Sequence, residues 1–348
     1  MASAATQRLV VRKLLSLPAP VLRLMSGGGV VYQGGRTLDP RLQYLAAQAR
    51  GAPPMTTLSP EEARRASAAA FATMTGDPEP GVRCEPLMIP GPGGAIPARL
   101  YRPPNQDPQA PVLVFAHMGG GVIGDLETCH VLCTILAKAG RGPVISVDYR
   151  LAPEHRFPAG LEDVLAAYRY ARDNAEAFGA PLAQAAIGGD SMGGNFAAII
   201  CQELKRAGEP QPVLQLLIYP CVDVACESAS MTTYADAFPL NRATMDWFIG
   251  QYLGPGDSPA DPRLSPLRAQ DVAGLAPAIV VTAGFDPLLD QGEAYARRLR
   301  EAGAPTVYRC YDSLAHGFTA FTGAVPGADV ACREVAGLVR EGFEGRLA

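Results

Sequence analysis

Hydrophobic positions along the chain fall into two regimes that change near residue 80. Up to that point apolar side chains recur at helical intervals, with breaks between them: an N-terminal apolar stretch, Gly27-Gly28-Gly29, then Asp39 to Arg50. Ser59-Pro60-Glu61-Glu62 reads as a helix start, with Ser as N-cap, Pro in the first turn and acids near the positive end of the helix dipole. No strand alternation is visible in this stretch. From about residue 84 short apolar or β-branched runs take over: Cys84–Ile89, Ile96–Tyr101, Pro111–His117, Pro143–Tyr149, Ala185–Gly188, Val213–Tyr219, Ala278–Ala283 and Thr306–Tyr311. Helix-length segments lie between most of the later runs, such as Leu161–Asn174, Ser191–Ala207 and Gly292–Ala302. Strands alternating with helices predict a mostly parallel, eight-stranded sheet flanked by helices. Gly91-Pro92-Gly93-Gly94 joins the first two runs as a hairpin would, so an antiparallel pair is expected to open the sheet. Residues 221–276 are too long for a plain crossover and hold a helical piece near Thr244–Leu253.

Composition narrows the class. Of the 348 residues, 48% are hydrophobic and only 18% charged, below the globular average of about 25%; this describes a compact chain with much buried surface. A formal net charge of −4, with no long run of Lys or Arg, excludes the electrostatic footprint of a nucleic-acid binder. The eight cysteines (Cys84, Cys129, Cys133, Cys201, Cys221, Cys226, Cys310 and Cys332) lack zinc-ribbon spacing, and several sit in apolar runs. They read as reduced thiols of a cytoplasmic protein, with no metal site. No apolar run approaches the ~18 residues that cross a bilayer. The first 38 residues contain Arg8, Arg12, Lys13, Arg23 and Arg36 and no acid, a weak likeness to a transit peptide; an amphipathic helix from Gln7 to Leu15 is the preferred reading.

The strongest chemical signal is Gly189-Asp190-Ser191-Met192-Gly193-Gly194, placed directly after the run Ala185–Gly188 and before the helical run that starts at Asn195. G-x-S-x-G at a strand-to-helix turn presents a serine on a tight elbow, at a helix N-terminus that favours developing negative charge. The motif points to an α/β-hydrolase fold with Ser191 as nucleophile. A serine hydroxyl needs a base, and the chain has four histidines: His117, His130, His155 and His316. In this fold the order is serine, acid, histidine, and only His316 follows Ser191. The acid is expected after the strand Ala278–Ala283, at Asp286, with Asp290 as a loop-fixing acid and Asp312 as the rival. The oxyanion needs backbone donors: the amide of Met192, and others from the loop after an earlier strand, which reads His117-Met118-Gly119-Gly120-Gly121-Val122-Ile123-Gly124-Asp125.

Taken together, the His-Gly-Gly loop, Asp148-Tyr149-Arg150-Leu151-Ala152-Pro153-Glu154-His155, the Gly-Asp-Ser-x-Gly-Gly elbow, Asp286-Pro287-Leu288-Leu289-Asp290 and His316-Gly317-Phe318 stand in the order of a known family. Over roughly residues 84–320 the chain resembles the hormone-sensitive-lipase-like bacterial esterases. The resemblance implies hydrolysis of short- to medium-chain carboxylic esters through an acyl-enzyme, without a cofactor. It also implies oxyanion amides from Gly119 and Gly120, and a helical cap made of residues 1–80 and an insertion at about 221–276, over a catalytic unit of residues 81–348. In one place the chain departs from the family: Met118 stands where a glycine is usual, and Gly121 where an aromatic residue is usual. With the spacing to Gly124-Asp125 unchanged, Gly121 is expected to widen the pocket and Met118 partly to refill it.

Other readings compete. Gly119-x-Gly121-x-x-Gly124 after a strand, with Asp148 ending the next one, matches a dinucleotide fingerprint, but it leaves Ser191, Asp286 and His316 without a purpose. A non-catalytic receptor on this fold is disfavoured by the presence of His316. An amide, lactone or carbonate substrate would use the same three side chains. The expected partner is a small-molecule ester, with no nucleic acid and no membrane span; a homodimer is left open.

Overall fold

The computed structural model describes residues 4–347. The chain opens with helices α1 (Ala4–Leu15) and α2 (Ala19–Met25), followed by two-residue strands β1 (Tyr32–Gln33) and β2 (Arg36–Thr37), then α3 (Pro40–Ala49) and α4 (Pro60–Met74). Helix α4 begins where its sequence signal lies. Ser59 Oγ accepts from the Glu62 amide, and the Glu62 carboxylate accepts from the Ser59 amide at 2.9 Å, so two orphan donors are satisfied reciprocally. The β1–β2 hairpin corrects the expectation of no strand in this stretch. Its strands pair Tyr32 with Thr37 and Gln33 with Arg36, and two residues per strand are too few for an alternation to register.

Eight further strands follow: β3 (Arg83–Gly91), β4 (Gly94–Arg102) and β5 (Val112–Ala116), then α5 (His130–Gly140), β6 (Val144–Val147), α6 (Ala159–Asp173) and β7 (Ala185–Asp190). Next come α7 (Met192–Ala207), β8 (Gln215–Ile218), α8 (Ala229–Thr233), α9 (Arg242–Tyr252), β9 (Ala278–Phe285), α10 (Leu289–Glu301), β10 (Thr306–Ala315) and α11 (Pro326–Phe343). They form one eight-stranded sheet in the order β10-β9-β8-β7-β5-β6-β4-β3. Antiparallel pairing is confined to β3–β4 and β4–β6; β5 to β10 pair in parallel. This is the α/β-hydrolase architecture expected from the sequence.

Consecutive residues of a strand point to opposite faces, and each face here has its own helical cover. Val114, Ile187, Leu217 and Val280 pack against α6, α7 and α10, while Leu113, Phe115, Leu216 and Ile279 pack against α5 and α11. Both faces being dry explains why these strands read as continuous apolar runs. Among the described residues no helix is long and apolar enough to cross a membrane, and the eight cysteines are all unpaired.

Register at the carboxyl edge of the sheet positions the chemistry. Ala116 of β5 pairs with Gly189 of β7, and Ala315 of β10 pairs with Phe285 of β9. The loops that begin at His117, Ser191, Asp286 and His316 therefore leave the sheet side by side. The register of β10 shifts between Tyr311 and Ala315, a bulge that Gly284 permits, because a Cβ there would overlap the Asp312 backbone. Leu216 in central β8 is completely buried and faces Gly188 across the β7–β8 pair. Leu216→Ala should cost about 2–5 kcal/mol of stability; urea unfolding monitored by far-UV circular dichroism reads it, and a cost below about 1 kcal/mol would contradict a close-packed centre at this position.

Candidate active site

The turn from β7 into α7 holds Ser191 at φ 54° and ψ −112°, a backbone conformation that a residue with a side chain rarely adopts and that costs of order 1–3 kcal/mol. The turn closes because a Cβ on Gly193 would run into the Ala116 carbonyl, and one on Gly189 would run into the Gly193 backbone. Hydrogen bonds from the Ser191 amide to Ile218 O (2.8 Å) and from the Asn195 amide to Ser191 O (3.0 Å) hold it closed. Ser191 itself is 8% exposed, with its hydroxyl at the mouth of α7.

His316 Nε2 lies 2.9 Å from Ser191 Oγ, and His316 Nδ1 lies 2.7 Å from Asp286 Oδ2. Asp286 is wholly buried; its second oxygen accepts from the Leu288 amide at 2.8 Å, which fixes the carboxylate before the histidine meets it. The Asp286–His316 bond requires Nδ1 to carry the proton and leaves Nε2 free to accept from the serine. Asp312 sits elsewhere: its exposed carboxylate pairs with Arg36 at 2.8 Å. Asp290 accepts from the Ser230 amide at 2.7 Å and so ties α8 to the start of α10. The other histidines are occupied or remote. His130 meets Arg99 and Tyr101, and His155 is exposed. His117, fully buried, stacks on Tyr149 with ring centroids 4.3 Å apart while its Nδ1 donates to Met118 O.

Residues 117–129 form a loop between β5 and α5. Gly119, Gly120 and Gly121 all have positive φ (126°, 63° and 72°), and the amides of Val122 and Ile123 both donate to Gly119 O at 3.0 Å. The amides of Gly119, Gly120 and Met192 find no protein acceptor among the described residues. The expectation that Gly121 widens the pocket fails. A Cβ on Gly121 would stand 2.7 Å from the Tyr252 ring, and one on Gly120 would overlap Phe248. The space left by the missing aromatic side chain of the loop is filled from α9. Met118 is buried and does line the cavity, with its sulfur beside Gly317. Gly120 and Gly121 thus make room for aromatic rings, Gly119 for the Ile123 carbonyl and Gly124 for the His117 ring. None opens a helix N-terminus, as a dinucleotide fingerprint requires.

Above Ser191 and His316 lies a cavity of about 470 Å³, within the usual range for small-molecule sites. Its walls are almost wholly apolar. They include Phe71 and Met74 from the N-terminal helices and Leu240, Met245 and Phe248 from the stretch between β8 and β9.

Sequence reasoning missed a buried polar cluster behind the histidine. The Tyr219 ring packs on His316 with centroids 4.7 Å apart, and the Tyr219 and Thr319 hydroxyls each donate to Asp190 Oδ2 at 2.9 Å. Asp190 is in the elbow motif, but no spacing rule pairs it with a tyrosine 29 residues on. Burial pushes its carboxyl up to about 6, against the pull of Thr319, Tyr219, His316 and the Met118 amide.

A family model described as the alpha/beta hydrolase fold matches residues 113–320. The chain is 44% identical to the carboxylic ester hydrolase LipN of Mycobacterium tuberculosis, over 88% of this chain and 84% of that one. It is 38% identical to an ethyl acetate hydrolase of Pseudomonas putida, over 79% of this chain and 88% of that one. Among solved structures, an ester hydrolase from the metagenome of Lake Arreo, complexed with a bipyridine phosphonate derivative, superposes with a TM-score of 0.85 at 43% identity, covering 88% of this chain and 99% of the other. An esterase of Pyrobaculum calidifontis superposes at 0.81 with 34% identity, covering 89% of this chain and 99% of the other.

The Asp190 environment has a consequence for stability. An unfolded aspartate holds its proton only below about 4. Between about 4 and 6 the folded protein therefore keeps a proton that the unfolded chain has lost, and the stability this contributes disappears as pH rises through 6. Asp190→Asn removes that dependence. The stability of the variant relative to the parent should rise by roughly 2–3 kcal/mol between pH 4 and pH 7, read from urea unfolding at each pH. A difference that stays flat contradicts the assignment. The wild-type curve alone does not carry the test, because His117, which burial pushes down to about 4, acts in the opposite sense over the same range.

Proposed function

The chain belongs to the α/β-hydrolase family, in its hormone-sensitive-lipase-like branch, and on that premise we propose that it is a serine carboxylesterase of short- to medium-chain esters. The observation that carries this reading is the unbroken line Ser191–His316–Asp286, at 2.9 and 2.7 Å, under an apolar cavity. Residues 1–80, with the insertion at about 221–276, are proposed to act as the cap, and residues 81–348 as the catalytic unit.

In the proposed cycle Ser191 Oγ attacks the ester carbonyl while its proton passes to His316 Nε2. The carbonyl oxygen takes the electron pair and is held by the amides of Gly119, Gly120 and Met192. Collapse of this intermediate breaks the bond to the alkoxy oxygen, which leaves as an alcohol with the proton from His316. Water, activated by the same histidine, then attacks the acyl-enzyme; the acid departs and the serine regains its proton. Asp286 holds the ring in the required tautomer and offsets the charge that develops on it. The substrate is a small-molecule ester, and no cofactor enters the cycle. Unpaired thiols support a reducing, cytoplasmic setting; light scattering separates a monomer from a homodimer.

Two measurements test the proposal. Hydrolysis of p-nitrophenyl esters from acetate to palmitate should be fastest with short or medium acyl chains and fall at least about tenfold by palmitate, as the proposed substrate class requires; a maximum at palmitate contradicts it. Asp286→Asn should lower turnover by on the order of 10³- to 10⁴-fold, whereas Asp312→Asn leaves it within about threefold, since surface ion pairs contribute little. The reverse ranking rejects Asp286 as the orienting acid.

A further inference from the structure

The loop proposed to hold the oxyanion has three successive glycines at positive φ, and glycine is the residue with the most backbone freedom to lose. Amides that stabilise a transition state must nevertheless be fixed before the charge develops. The question is what fixes them.

On one side the answer is a single side chain from outside the sheet. Arg64 of α4 donates from Nε to Val122 O at 2.8 Å and from Nη2 to Ala152 O at 2.8 Å. Its guanidinium also meets both carboxylate oxygens of Glu154, at 2.9 and 2.6 Å. Val122 is one of the two residues whose amides close the turn on Gly119 O, and the Ala152 amide donates to Gly121 O at 2.8 Å. The guanidinium therefore bridges the segment that follows the glycines and the segment that holds the last of them. On the opposite side Phe248 and Tyr252 of α9 lie directly on Gly120 and Gly121. Helix α9 is itself tied down by the Phe157 amide, which donates to Tyr252 O at 3.0 Å, and by Arg156, which donates to Gly250 O at 3.1 Å.

We propose that Arg64 is a positioning residue for the reaction: its bonds to Val122 O and Ala152 O preorganise the Gly119 and Gly120 amides against the support of Phe248 and Tyr252. This rests on the reading that those amides hold the oxyanion. The planar fork of an arginine is suited to the task, since it reaches two carbonyls and a carboxylate at once, which a lysine ammonium cannot do in the same geometry. The fork also meets Glu154, but Glu154 is exposed and the pair is screened; the carbonyl contacts carry the effect.

The test compares Arg64→Met, Arg64→Lys and Glu154→Gln for hydrolysis of p-nitrophenyl butyrate and for inhibition by an alkyl trifluoromethyl ketone, whose adduct with the serine places an oxyanion in the hole. Arg64→Met should lower kcat by about 10- to 100-fold, the effect of displacing reacting groups by a fraction of an ångström to an ångström, with KM within about threefold. Trifluoromethyl ketone affinity should fall in proportion to kcat/KM. Arg64→Lys should lie between Arg64→Met and wild type, and Glu154→Gln close to wild type. Addition of ethylguanidinium should restore part of the activity of Arg64→Ala, which keeps the proposal testable if Arg64→Met folds poorly. An Arg64→Met enzyme with unchanged kcat, or with raised KM alone, overturns the proposal, as does a fall in kcat with unchanged ketone affinity. Failure of the underlying reading is a different result: wild-type enzyme that the ketone does not inhibit.

Discussion

The site depends on one steric constraint, the contact between Gly193 at the start of α7 and the carbonyl of Ala116 on β5. With no side chain at Gly193 and none at Gly189, the helix can begin with only Ser191 between it and the strand, and Ser191 is forced to φ 54°. That strain, of order 1–3 kcal/mol, is offset by the burial of β7, whose residues Ala185–Asp190 are all buried, and of α7. The sheet then supplies the rest. Pairing Ala315 with Phe285 places the next residue of each strand, His316 and Asp286, together at the same edge. Three side chains from distant parts of the sequence thus meet because each is the first residue past the end of a parallel strand.

Much of this was legible in advance, for physical reasons. The central strands, dry on both faces, show as apolar runs, and all eight runs correspond to strands of the sheet, with shifts of a few residues at their ends. The elbow motif is visible because its glycines are steric requirements of one local turn. Histidine could be chosen by order along the chain since only one follows the serine. What escaped notice has a common character: it depends on contacts between distant segments with no local signature. The β1–β2 hairpin is too short to show a period. Arg64 looks like any surface arginine of an amphipathic helix until its partners, 58 and 88 residues away, are known. Tyr219 and Asp190 lie on adjacent strand ends, which sequence order alone does not reveal.

The glycine loop after β5 illustrates compensation across segments. A glycine at position 121 does not leave a hole, because Tyr252 of α9 occupies the space, and Phe248 packs on the neighbouring Gly120. Tyr252 continues through Phe196 to Tyr149 and so to the ring of His117, an aromatic line joining α9 to the first residue of the loop. Phe248 also faces the apolar cavity. The same helix therefore lines the apolar cavity and backs the glycine loop beneath it, so in the proposed cycle acyl-chain recognition and oxyanion geometry share a structural element. Dry walls also strengthen the electrostatic interactions at Ser191.

The most direct measurement of the central claim, that Ser191 is activated by the His316–Asp286 pair, is covalent capture. Incubation with a fluorophosphonate, followed by intact mass spectrometry and peptide mapping, should give one phosphonyl adduct per chain, located on Ser191, with labelling slowed by orders of magnitude in His316→Ala. An unlabelled protein, an adduct on any other residue, or labelling at the same rate without His316 would contradict the account.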